Sequence, residues 1–156
     1  MFRSSSDLGS GVDDKLAELE RSLGSDSPSF ADSLMALAGS YASSGKSMYA
    51  EPLYWRCLEL RRKLLGESHP KVAETLNSLG ALYESYEQFP EAERLYLWVV
   101  RIREKTLGRR HVDVAVALES LARVLKEQHR ISEAVELEME ANAIWVSAGT
   151  HEDLYR

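Results

Sequence analysis

The sequence predicts an all-α protein, an α-solenoid of about seven helices arranged as antiparallel pairs. Three observations predict it. First, the chain repeats itself: a shift of 42 residues carries Ala50, Leu53, Tyr54, Leu65, Gly66 and His69 onto Ala92, Leu95, Tyr96, Leu107, Gly108 and His111. Self-similarity at a fixed period of this length marks a repeat array. Second, the apolar residues inside each repeat recur at helical spacing. Third, no run of alternating β-branched or aromatic residues between turns signals a strand.

Each element follows from local chemistry. Residues 1–10 are rich in Ser, Gly and Asp, carry no apolar face and are expected to be disordered. Val12 to Leu23 reads as a helix, with Asp13 and Asp14 at its positive end and Val12, Leu16, Leu19 and Leu23 as one narrow stripe. Gly24 is its expected stop. The 42-residue shift lays Leu16, Leu23, Gly24 and Pro28 on Leu58, Leu65, Gly66 and Pro70, so the chain reads as beginning with the second helix of a repeat. Three full repeats follow, over about residues 28–65, 70–107 and 112–148, within one repeat domain at 11–149.

In the first repeat, Ser27-Pro28 supplies an N-cap and a first-turn proline. Leu34, Leu37, Ala38 and Tyr41 form the expected inward stripe, and Ser44-Gly45-Lys46 the turn to the second helix. In the second repeat, Leu76, Leu79, Gly80 and Tyr83 take the same places, and Pro90 to Leu107 is the partner helix. In the third, Leu118, Leu121, Ala122 and Leu125 do so, followed by a helix from Ile131 to Ala148 and a polar tail over 150–156. Small residues recur where helices should cross: Ala38, Gly80 and Ala122, then Ala50, Ala92 and Ala134. A larger side chain there would force the pair apart, at about 1–3 kcal/mol.

Composition excludes several function classes. The net charge is -6 with a pI near 5.3, whereas a nucleic-acid binder needs a basic face. No apolar run approaches the ~20 residues of a membrane helix. The N-terminus lacks an apolar stretch of leader length. The single cysteine forbids an internal disulfide and fits a reducing compartment. The expectation is an intracellular, cytoplasmic protein. An organelle stays open, because the sequence leaves undecided whether the chain is a fragment of a longer one.

The small-large-small pattern, with phrases such as ALYESYEQFPEAERLY, RIREKTLG and LGESHPKVAETLNSLG, resembles the tetratricopeptide repeat (TPR). The usual repeat has 34 residues; the 42-residue variety resembles that of kinesin light chain. The third repeat departs most, with Glu138 in place of the aromatic of Tyr54 and Tyr96 and Val112 in place of Pro70.

The resemblance implies a non-catalytic adaptor, scaffold or regulator that takes a peptide or helix of a partner protein in a concave groove. By register, the groove positions are Asp32, Met35, Gly39 and Ala42 in the first repeat. They are Glu74, Asn77, Ala81 and Glu84 in the second, and Val116, Glu119, Arg123 and Lys126 in the third. Their acidic majority points to a partner with basic and apolar residues. The Lys and Arg that hold chaperone C-terminal carboxylates are missing from the first two repeats, which argues against that ligand. The alternative is a self-assembly element: Val135, Ile144, Trp145 and Val146 leave an apolar last helix, through which a homodimer could form.

Other candidates for chemistry are weak. His69 and His111 recur at the period in turns, without the Cys or carboxylate neighbours of a metal site, and read as caps. Cys57 sits where Val99 and Ala141 stand in later repeats, so it reads as an inert buried thiol. The GKS at Gly45 to Ser47 lacks the upstream glycine and the strand of a phosphate loop. Arg61-Arg62-Lys63 and Arg109-Arg110 suit helix C-termini, with a convex-side contact as a lesser reading. No convergent titratable set suggests an enzyme, a cofactor or a metal.

Overall fold

The computed structural model describes residues 10–149, and among these the elements are seven α-helices and no strand. The segments before Ser10 and after Gly149, expected to be irregular, lie outside the described residues. Contacts divide the chain into two compact units, one up to Glu67 and one from Ser68.

The first unit holds α1 (Ser10–Leu23), α2 (Pro28–Ser43) and α3 (Ser47–Leu65). α1 begins two residues before the expected Val12 and buries Val12 and Leu16. Ser27 caps α2 by accepting from the Phe30 amide at 3.1 Å, ahead of Pro28. Capping oxygens of this kind contribute about 1 kcal/mol. Phe30, Ala31, Leu34 and Ala38 of α2 are buried, as are Ala50, Leu53, Tyr54, Cys57 and Leu58 of α3. Leu37 and Tyr41, expected inside, are only half-buried. Phe30, one turn before Leu34, is fully buried, with the Arg56 guanidinium 5.0 Å from its ring centre. Tyr41 packs on Tyr49, with centroids 5.7 Å apart.

The second unit holds α4 (Pro70–Ser85), α5 (Phe89–Leu107), α6 (Val112–Glu127) and α7 (Ile131–Ser147). α4 pairs with α5 and α6 with α7, and α5 also packs on α6. Ala92 and Tyr96 of α5 share a core with Leu121, Ala122 and Leu125 of α6 and with Ala134 of α7. One layer therefore joins two successive pairs, which is how a repeat that buries too little alone gains a core. His69 and His111 cap α4 and α6: each Nδ1 accepts from the amide two residues on, at 3.1 Å.

The turn inside each repeat is the same device three times. Lys46, Gln88 and Arg130 each donate a backbone bond to the carbonyl five residues back, at 2.9 Å. The residue before each has a positive φ: Gly45 at 74°, Glu87 at 58° and His129 at 61°. Only glycine adopts that region without a steric cost. The period thus fixed the turn even where the sequence lacks glycine.

Candidate partner-binding groove

The twelve register positions lie on α2, α4 and α6, and none is buried. In α2, Asp32 is exposed and Met35, Gly39 and Ala42 are half-buried. In α4, Glu74 and Ala81 are exposed and Asn77 and Glu84 half-buried. In α6, Val116, Glu119, Arg123 and Lys126 are all exposed. Positions three, seven and ten residues apart share one helix face, so each helix presents its four on the side away from its buried stripe.

The charges on these helix faces are largely satisfied within the protein. The Arg123 guanidinium holds Glu84 with two parallel bonds, Nε to Oε1 at 2.5 Å and Nη2 to Oε2 at 3.0 Å. Such forked pairs are both stronger and more directional than single bonds. Tyr96 Oη donates to the same Oε2 at 3.0 Å, which joins α4, α5 and α6 through one carboxylate. The Arg123 bonds hold the Glu84 carboxyl below the usual range, against the desolvation that would raise it. Burial pushes the Tyr96 phenol well up, and the Glu84 charge beside it adds to that rise.

The other ionic positions follow suit. Lys126 pairs with Glu138, the residue that replaces the aromatic in the third repeat. The exception in the pattern is therefore a compensated one: Glu84–Tyr96 and Lys126–Glu138 occupy equivalent places. Glu119 accepts from Trp145 Nε1 at 2.7 Å. Asp32 accepts from Arg61 Nη2 at 2.9 Å. Arg61 is only 3% exposed, so it is a core residue and not part of an open basic cluster; Arg62 and Lys63 beside it are exposed and pair with Glu67 and Asp26. No local signal in the sequence marks these links, because most join residues one helix or one repeat apart.

Ala81 and Val116 remain as small or apolar side chains on the α4 and α6 faces, with Asn77 beside Ala81 on α4. An Asn amide can donate and accept at once, as a peptide backbone requires.

The remaining candidates fall into structural roles. Cys57 is fully buried, with its thiol against the Ala31 carbonyl at 3.2 Å. Gly45 to Ser47 forms the α2–α3 turn and the start of α3. Among the described residues no group of three His, Cys, Asp or Glu could hold a metal ion, and no helix is long and apolar enough to cross a membrane. The expected apolar edge of α7 is redrawn. Ile144 is 4% exposed and packs inward, and Trp145 is half-buried and tied to Glu119. The exposed apolar residues are Ile131, Val135, Met139 and Val146.

Comparison with known proteins agrees with this architecture. No curated protein sequence matches the chain. Among solved structures, BtubC (BKLC) from P. vanneervenii superposes with a TM-score of 0.78 at 23% identity, covering 89% of this chain and 58% of that one. A Podosopora anserina protein with kinesin light chain nearly identical TPR-like repeats superposes with a TM-score of 0.75 at 28% identity, covering 88% and 65%. The N-terminal domain of stress-induced protein-1 from C. elegans gives 0.62 at 17% identity, covering 74% and 84%. The chain thus spans less than two thirds of the first two. Residues 29–105 match the profile of the family described as Tetratricopeptide repeat. With that match, the 42-residue period and the paired helices, the chain is a tetratricopeptide-repeat protein of the kinesin light chain type.

Proposed function

We propose that the protein is a non-catalytic interaction module that takes a peptide or helical segment of a partner protein on the first-helix faces of its repeats. The observation that supports this most is the α4 and α6 face of the second unit. Glu84, Arg123, Lys126 and Glu119 are locked to one another or to the second helices, while Ala81 and Val116 stay exposed and Asn77 stands one turn before Ala81 on α4. A fully solvated face needs no such arrangement. The partner best suited to it brings an apolar side chain for Ala81 and Val116 and a backbone for Asn77. Glu84, one of the acidic positions from which a basic partner is expected, is already engaged by Arg123. The equivalent α2 positions Asp32, Met35, Gly39 and Ala42 serve the same role in the first unit.

The test is selection of peptides from a displayed library, followed by titration against variants. Binding near 1 μM corresponds to about -8 kcal/mol, concentrated in a few side chains. Asn77→Arg and Ala81→Arg should each weaken the selected peptide by at least about tenfold with helicity unchanged. Undiminished binding by both variants would remove the groove from this face. Glu84 is unsuited to the test, since replacing it also frees Tyr96 and Arg123.

A second reading is self-association through α7. It is favoured by the stripe Ile131, Val135, Met139 and Val146, which are 52%, 43%, 68% and 63% exposed. A contiguous exposed apolar stripe of this kind marks an interaction surface. A solution mass that rises with concentration would support it.

A further inference from the structure

The second helices of the two repeats in the second unit carry surfaces of different charge, basic on α5 and acidic on α7, with Arg94 and Glu136 at equivalent positions. The outer face of α5 bears Arg94, Leu97 and Arg101, all exposed. Among the described residues neither arginine has an ion pair or hydrogen bond, in a chain whose other cations are mostly matched. The same face of α7, 42 residues on, bears Glu136 and Met139, with Glu140 beside them. All three are exposed, Met139 at 68%, and neither glutamate has a partner among the described residues. The core positions between them, such as Ala92 and Ala134, are the same residue in both helices. Folding therefore does not require this difference in surface charge.

We infer that the α5 face of one copy docks on the α7 face of a second copy. Equivalent positions of successive repeats face the same way, so α5 does not turn this face on the α7 of its own chain. A two-fold axis between the two helices sets α5 against the partner's α7 and α7 against the partner's α5. This is the self-complementary form in which closed dimers are built. Arg94 and Arg101 stand about 10 Å apart along α5, since seven residues rise 1.5 Å each. They straddle Leu97; on α7 Glu136 lies one turn before Met139 and Glu140 follows it directly, about 6 Å along the helix from Glu136. The pairing covers the apolar residue of each helix and matches charges across it, and it occurs twice per dimer. Ionic contacts of this exposed kind fix register and weaken with salt. The inference rests on the reading that the protein self-associates through α7, and adds which surface α7 meets.

The test is solution mass by sedimentation across a micromolar concentration series, at low and high salt. The parent is expected to dimerise, less so at high salt. Arg94→Glu/Arg101→Glu and Glu136→Arg/Glu140→Arg should each shift the dissociation midpoint upward by at least about tenfold, because each makes both faces alike in sign. Mixing the two variants should restore a dimer containing one of each, which loss of folding would prevent. A parent that stays monomeric throughout overturns both this inference and self-association. A parent dimer unaffected by either reversal overturns the α5 docking alone and leaves α7 with another partner surface. Two monomeric variants that do not combine on mixing also overturn it.

Discussion

Gly80 is the tightest point of the second unit. A Cβ placed on it would meet Tyr96 Cε1 at 2.7 Å, Cζ at 2.9 Å and Cδ1 at 3.0 Å, where ordinary contact starts at 3.4 Å. The ring would have to retreat by about 0.7 Å. It is 1% exposed and its hydroxyl is held by Glu84, so it has little room to do so. Alanine in a helix interior gains up to about 1 kcal/mol over glycine. Overpacking of a fixed ring costs about 1–3 kcal/mol. The balance predicts that Gly80→Ala destabilises by about 1 kcal/mol.

The first repeat shows how the clash is avoided. There Ala38 stands where Gly80 does, opposite Tyr54, and Ala42 stands in place of Glu84. Tyr54, without that carboxylate, puts its hydroxyl 3.7 Å from where a Cβ on Gly39 would be, one residue further along α2. Glu84 is therefore what pins Tyr96 over Gly80. In a Glu84→Ala background the ring is free to shift, and Gly80→Ala should become neutral or stabilising. The assay is urea denaturation of all four chains of the double-mutant cycle. At m-values of about 1–3 kcal/mol/M, the single substitution should lower the midpoint by roughly 0.3–1 M with unchanged slope. Stabilisation by Gly80→Ala in the parent, or an equal penalty in both backgrounds, would refute the reasoning.

Two further outcomes follow from the same contacts. The folded Glu84 carboxyl titrates below its free value because of Arg123, so protons bind more readily to the unfolded chain. Its contribution should be complete above the free carboxyl value of about 4.3 and lost as pH falls through the lower folded value. Arg123→Met should flatten that part of an acid-denaturation curve, and an unchanged acid limb would speak against the pair. Glu87 occupies the left-handed position that glycine fills at residue 45, so Glu87→Gly should raise stability by about 0.5–1 kcal/mol in thermal melts. A lower melting temperature would mean that the turn carries no strain.

The sequence alone determined the helices, their pairing and most of the faces they bury. These are written locally: apolar residues at helical spacing, Ser27-Pro28 and the two histidines at helix starts, and small residues at crossings such as Ala50, Ala92 and Ala134. The 42-residue period then multiplied each signal by repetition. Local reading reached the outer surface of α2, α4 and α6 as well, because residues off the buried stripe must face elsewhere. It failed where partners are distant in sequence. Arg123 and Glu84 are 39 residues apart, and Asp32 and Arg61 are 29 apart. Whether a charge is free or spent depends on what the neighbouring helix brings beside it, which no local pattern encodes. The same limit hid the inward turn of Ile144 and the left-handed Glu87 and His129. The tertiary structure decided these because packing chose side-chain directions, and the closure of each helix pair imposed a backbone turn that those residues had to accept.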